Sequence, residues 1–372
     1  QSCLKMFVEQ EKWIGAASSA GSLSQLQLAQ GNVSLAIKVA IQSLELADKS
    51  GDDFEGICNR TNFANAQHQA GDLKTAHVSF EKAESLQKQR QEEYPQLYAL
   101  QGFQYCDLLL TAGEWRDVQK RAKQALEWAN EEKETLLLAT ALAKLALGRA
   151  RLQHAITLAI PLIENKYEFV AIRAASSTKN QHDSRLLPKL PASDSADDVS
   201  LSILRSSEKW LNNSVAGLRK AGHEDDLPCG LLARASYHRY AISFSADVTQ
   251  MAFTESGEPL AVDGTSPYFT ELHANYQAAL RDLQEAHDIA QRSGMRLHLT
   301  DYHLESARLL LTRLIVEVDS HSLKDLSSTE LELKTQIIKH MEQASDLIEE
   351  TGYKRRTPEL LYLQDCVAEL FE

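Results

Sequence analysis

The chain has 372 residues, with 39 Lys and Arg against 52 Asp and Glu, a formal net charge of −13. Aromatic residues make up 7% and there are 16 Gly and 8 Pro, while straight-chain helix formers dominate, which excludes all-β and collagen-like chains. The negative field argues against nucleic acid as a main partner, and the length fits two to three domains or one extended array.

From the N-terminus, Leu4, Phe7, Val8 and Ile14 give residues 1–20 the pattern of a second helix closing an earlier unit. The start at Gln1, without an initiator Met or signal-peptide pattern, reads as an excised or processed chain. Regular repeats are expected over 21–160. Three segments align without gaps, each opening on a glycine: Gly31, Gly71 and Gly113. Five residues on stand Ala36, Ala76 and Val118; nine on, Ala40, Phe80 and Ala122; twelve on, Ser43, Ala83 and Ala125. These offsets share one helical face, where small side chains let a neighbouring helix approach. Each Gly supplies the positive φ that a tight turn between antiparallel helices needs.

The spacing predicts a short helix from about Gly21, a second over 33–49, then pairs at 54–70 with 73–90 and 95–112 with 115–132. A strongly apolar helix follows from Glu134 to about Leu152 and extends toward Pro161. Residues 174–198, rich in Ser, Asp and Pro, read as a long mobile loop. Helical text resumes at 199–221 and 228–244. An insertion at 245–268 has the alternation of a small β-hairpin around Ser-Gly-Glu-Pro. Helices at 269–293, 296–317, 329–351 and 357–371 complete the C-terminal repeats and a capping helix, with Gly294 and Gly352 as stop signals. The fold class expected is an all-α, right-handed superhelical α-solenoid spanning 1–372.

This pattern, three times in register, resembles the tetratricopeptide repeat, with spacings of 40 and 42 residues implying longer helices than the usual unit. Further stretches carry a narrower likeness. Glu92 to Leu110 leads into Gly113-Glu-Trp115 and Ala125-Leu-Glu-Trp-Ala129; Leu227-Pro-Cys-Gly-Leu-Leu-Ala-Arg-Ala235, Gly294-Met-Arg-Leu-His298, Tyr302-His-Leu-Glu-Ser-Ala307 and Glu349 to Arg356 follow. Together these resemble the C-terminal sensor region of bacterial signal-transduction NTPases of the STAND class, built on a NACHT or NB-ARC core. The resemblance implies a protein or peptide ligand. It also implies NTPase and effector modules elsewhere in the full-length chain as partners, and a resting state in which the array restrains the NTPase.

Catalytic and metal chemistry is not expected. There is no Gly-Lys dipeptide and hence no Walker A loop, and no G-x-S-x-G. His223-Glu-Asp-Asp-Leu227 lacks the second His of a zinc-protease motif, and His298 and His303 are five apart, off a common helix face. Neither a cofactor nor a metal ligand set is therefore assigned. Cys3, Cys58, Cys106, Cys229 and Cys366 are scattered and read as reduced thiols of a cytoplasmic protein. No run approaches 18 uncharged apolar residues, so no membrane partner is expected.

The candidate partner-binding residues lie on two helical stripes, Arg234, Tyr237 and His238 on one and His298, Tyr302 and Arg308 on the other, adjoining Glu305. As first helices of consecutive repeats they would form one strip on an inner wall; inter-repeat struts are the structural alternative. Asn62 and Asn65 face the same groove, but Phe103, Gln104 and Asp107 in the next repeat supply no basic partner for a carboxylate clamp. Lys354, Arg355 and Arg356 follow a helix end, where cations offset the dipole. A structural scaffold or oligomerisation array remains an alternative function, as does the sensor of a peptide-responsive regulator or transcription activator.

Overall fold

The computed structural model describes residues 2–131, 136–159, 195–243, 252–253, 259–260, 267–318 and 328–371. The fold is all-α. Among the described residues fourteen helices follow one another: α1 (Ser2–Glu9), α2 (Trp13–Ala29), α3 (Val33–Ser50), α4 (Asp53–Gln69), α5 (Leu73–Arg90), α6 (Ala99–Thr111), α7 (Trp115–Glu131), α8 (Leu137–Ala159), α9 (Ser195–Ala221), α10 (Leu227–Ser243), α11 (Pro267–Ser293), α12 (Arg296–Val318), α13 (Ser328–Thr351) and α14 (Thr357–Phe371). A 3₁₀ turn, Lys354–Arg356, precedes α14. Ala252–Phe253 and Pro259–Leu260 pair antiparallel, and the rest of 244–266 lies outside the described residues. So does the expected loop at 174–198, except that 195–198 already belong to α9.

The repeat glycines make the turns. Gly31, Gly71 and Gly113 take φ of 82°, 87° and 83°. After each, the next N–H reaches back five residues: Asn32 to Gln27 at 2.8 Å, Asp72 to Gln67 at 2.9 Å, Glu114 to Leu109 at 2.9 Å. This six-to-one bond closes a helix whose last residue is left-handed. Gly294 repeats it, with Met295 N–H on the Ala290 carbonyl at 2.8 Å. The small-residue face is the buried one: Ala36, Ala40, Ser43, Ala76, Phe80, Ala83 and Val118 are all wholly enclosed.

The helices pair as antiparallel hairpins, α2 with α3 and so on to α12 with α13. In α8 and α9 the approach is closest where side chains are smallest. Ser207 and Ser214 hydroxyls donate to the carbonyls of Gly148 (3.0 Å) and Ala141 (2.9 Å), and a Cβ on Gly148 would lie 2.8 Å from Leu211.

The first helices stand side by side in the order α2, α4, α6, α8, α10, α12, and α12 meets α2 again. The row therefore curves until its end touches its beginning. Leu28, Val33, Ala36 and Ala66 from the first hairpins cluster with Leu297 and Tyr353 from the last. The approach is close enough that a Cβ on Gly31 would sit 2.7 Å from Thr351 Cγ2 and 2.9 Å from Arg296 Cβ.

The N-terminus departs from the sequence expectation. Helix α1 ends at Glu9, Glu11 breaks the path at φ 53°, and α2 already begins at Trp13. Ile14 and the Gly15–Ala20 stretch thus belong to the first hairpin rather than to a preceding unit. The cause is packing: Ala16, Ala17 and Ala20 are fully buried, and a Cβ on Gly21 would overlap the Asn59 side chain of α4. Close helix contact here outweighs weak helix propensity.

Candidate ligand cavity

The ring of first helices encloses a cavity of about 740 Å³, lined from α2, α4, α6, α8, α10 and α12, the 223–226 turn and residues 353–359. One wall is apolar, formed by the half-buried Leu100, Phe103, Leu138 and Leu232. Beside it the lining carries charge in an ordered sequence.

That sequence starts at Asp107 on α6. Arg355 grips its carboxylate with both terminal nitrogens, at 2.5 and 2.9 Å, and Arg149 of α8 donates to it at 2.7 Å. Burial pushes the Asp107 carboxyl up, yet the Arg355 and Arg149 guanidiniums outweigh it and hold it well below the usual range. Arg355 also donates to Gln69 Oε1 at 3.2 Å. The neighbouring residue of the 3₁₀ turn faces the other way: Arg356 donates to Asp301 on α12 at 2.7 Å and pairs with Glu359. Arg308 donates to Glu359 at 2.8 Å and lies 3.5 Å from Glu305, which accepts from Arg239 at 2.7 Å. Burial raises the Glu359 carboxyl, but Arg356 and Arg308 bring it down to about 2. Charged pairs of this kind are kept in low-dielectric sites only where each ion has its partner.

Several polar atoms along this wall are buried with no hydrogen-bond partner among the described residues: Arg355 Nε, Gln104 Oε1, Gln153 Oε1 and His298 Nδ1, the last 3.9 Å from Asp301 Oδ2. Unsatisfied groups of this kind are costly and rare in folded interiors. At the 223–226 end, burial raises the Asp226 carboxyl and lowers His298. The Cys229 thiol, 3.9 Å from His298 Nε2, is pushed up by burial to about 12. A thiol held protonated is a poor nucleophile at neutral pH, since the thiolate is the reactive form. Among the described residues no group of three His, Cys, Asp or Glu is placed to hold a metal ion. No described helix is long and apolar enough to cross a membrane. All five cysteines are free thiols.

Of the residues singled out from sequence, His298 and Arg308 line the cavity. Arg234, Tyr237, His238 and Tyr302 are placed elsewhere, so the six do not form one strip. Arg234 donates to both oxygens of Asp282 on α11, at 2.7 and 2.6 Å. Tyr237 is buried and its hydroxyl donates to Glu208 at 3.1 Å, and His238 Nδ1 is 2.8 Å from Asn275 Oδ1. These three bridge α10 to α9 and α11. Tyr302 packs between the rings of His287 (4.6 Å) and His303 (4.9 Å).

Asn65 does line the cavity, and Asp107 beside it finds basic partners after all. They come from α8 and from the turn after α13, not from the adjacent repeat. Arg355 and Arg356, read from sequence as dipole-compensating cations, instead turn inward onto carboxylates. Their signal was a run of two arginines after a helix-ending glycine, which fixes a turn but not what it meets. Comparison with known proteins returns no matching family model and no matching relative among the curated proteins.

Proposed function

We propose that this chain is a protein- or peptide-binding helical-repeat module whose ligand occupies the central cavity, and that it is a right-handed superhelical array of tetratricopeptide-like units. The observation that carries the reading is the cavity itself. Its volume falls in the range of about 300–1,000 Å³ typical of ligand sites, and it joins an apolar wall to one bearing fixed charges and unpartnered polar atoms. Apolar surface supplies affinity and the polar groups set orientation. A short peptide segment, with an apolar side chain against Leu100 and Phe103 and its backbone amides on Gln104 and Gln153, fits that division. From its sequence resemblance, we further propose that the module is the sensor of a larger bacterial signal-transduction NTPase in the cytoplasm, restraining that NTPase until ligand binds. Catalysis is assigned to the other modules of the full-length chain.

The test is selection of peptides from a random display library against the purified chain, with a cavity-blocked Ser236→Trp variant as the comparison. Ser236 lines the cavity on α10. Selected peptides should bind the wild type and lose binding to a variant that retains its helical circular dichroism. Peptides that bind both proteins equally would place the ligand elsewhere and overturn the reading. The gene upstream of Gln1 should encode a Walker A motif; a helix-turn-helix there would instead favour a transcription activator.

A further inference from the structure

The charged wall of the cavity and the place where the array's end meets its beginning are built from the same atoms. Arg355 reaches Asp107 and Gln69, 248 and 286 residues away. Tyr353 sits in the cluster with Leu28, Val33, Ala36 and Ala66, and its hydroxyl donates to Asp301 at 3.2 Å. The N-terminal side of this seam presents backbone, because Gly31 and Gly71 carry no Cβ. At Gly71 a Cβ would lie 3.3 Å from both the carbonyl carbon and the Cβ of Lys354.

Contacts across the seam differ in kind from those inside a hairpin. Within a hairpin two helices share a long buried face and a short covalent turn. Across the seam, helix ends meet through one small apolar cluster and a buried ion pair. Such a pair gives back to hydration, on opening, much of what its Coulomb attraction supplies. Each hairpin keeps its own burial when the seam parts, so the seam can open without unfolding a hairpin.

We propose that the seam is a latch: residues 351–356 lift off the turns after α2 and α4 as one unit while the hairpins stay folded, and their return completes the cavity. The cavity wall draws residues from both sides of the seam, so a ligand that touches both sides binds the closed form and shifts the population toward it. That consequence rests on the cavity being the ligand site; the latch does not.

Hydrogen exchange read by mass spectrometry on the whole chain tests it. The amides of 28–36, 66–72 and 351–357 bond within their own helix ends and turns, which fray once the covering segment lifts, so in the wild type they should exchange about tenfold or more faster than those of 76–86 in α5. Arg355→Ala should raise the first set by about another tenfold and leave 76–86 unchanged. A Gly71→Cys, Lys354→Cys pair in a Cys3→Ser background starts with the two Cβ atoms 3.3 Å apart, so a shift of a few tenths of an ångström brings them to the ~3.8 Å that a disulfide takes. Oxidised, it should slow seam exchange to the rate of α5, and reduction of the same variant should restore it. Uniform acceleration throughout the chain in Arg355→Ala, or seam exchange indifferent to oxidation, would overturn the latch. Anilinonaphthalene sulfonate, an apolar anion, then serves as probe of the cavity. It should bind the oxidised pair more tightly than the reduced one, and equal affinity would overturn the coupling. A dye that binds neither form counts against the cavity as ligand site, with exchange still deciding the latch.

Discussion

Gly31→Ala and Gly113→Ala ask the same backbone question in two different surroundings. Both glycines sit at closely similar positive φ, 82° and 83°, so each substitution carries the left-handed penalty of about 1–2 kcal/mol. Around Gly113 nothing lies within 4 Å of the new methyl, whereas at Gly31 it meets Thr351 Cγ2 at 2.7 Å and Arg296 Cβ at 2.9 Å. Forced overpacking typically adds about 1–3 kcal/mol. Gly31→Ala should therefore lose about 1–3 kcal/mol more than Gly113→Ala in urea unfolding followed by circular dichroism. Thr351→Ser removes the nearer methyl, so it should recover part of that excess in Gly31→Ala and none in Gly113→Ala. A double-mutant cycle isolates the term. Equal losses at the two glycines, or no coupling to Thr351, would mean that the end of the array does not meet its beginning in solution.

Phe80 is fully enclosed and stacks on Tyr105 with ring centroids 4.9 Å apart, so Phe80→Ala should cost about 3–5 kcal/mol, read as a lower urea midpoint at unchanged slope. Arg239, 1% exposed, is the close partner of the buried Glu305; Arg239→Ala strips that partner and should cost about 3–5 kcal/mol in calorimetry, with Arg239→Lys recovering little. Arg234→Ala should destabilise by about 1.5–3 kcal/mol through its lost bonds to Asp282 while leaving selected peptides bound at unchanged affinity in titration calorimetry. Acid should act in two windows. Burial, then His340 and His287, pushes His303 down to about 4, with its Nδ1 2.9 Å from that of His340. The unfolded chain thus binds more protons between the ordinary 6.5 and 4, and stability falls as pH drops through that interval. Glu359, held at about 2, adds a second loss below about 4.5. His340→Phe removes one lowered imidazole and the second cause of the His303 shift, so it should make the first limb of a plot of urea midpoint against pH shallower, with His68 and His298 still contributing, and leave the second.

The turns were legible in the sequence because their cause is local. A glycine at the same offset before Ala36, Ala76 and Val118 fixes a left-handed residue and a small-residue face together, and both appear where the spacing put them. Helix bounds from α3 onward follow to within a few residues, except that α6 starts at Ala99, where φ is 52°, and not at 95 beside Pro95. The first hairpin was begun too late, at about Gly21 instead of Trp13, because Ile14 was grouped with Leu4, Phe7 and Val8 into one earlier helix. The smallness of Gly21 answers to Asn59 of α4 and that of Gly15 to Phe7 of α1, and no local rule carries those partners.

The cavity failed to show for a related reason. The stripe argument singled out α10 and α12, and of its residues on α12, His298 and Arg308 line the cavity while Tyr302 does not. On α10 the inward positions are Cys229, Leu232, Ser236 and Tyr240, and Arg234 lies two residues beyond Leu232, a rotation of about 200°. Periodicity defines a polar stripe but does not say which neighbour it serves, and α10 has two outer helices, two first helices and the cavity around it. Arg234 found Asp282 on one outer helix, α11. The inner wall's charge is set by closure of the array, which delivers Arg355 to Asp107 from 248 residues away. A groove read repeat by repeat therefore looks short of cations, as 62–107 did. The curved array supplies them from its other end, and with them a reason for the two ends to separate or join.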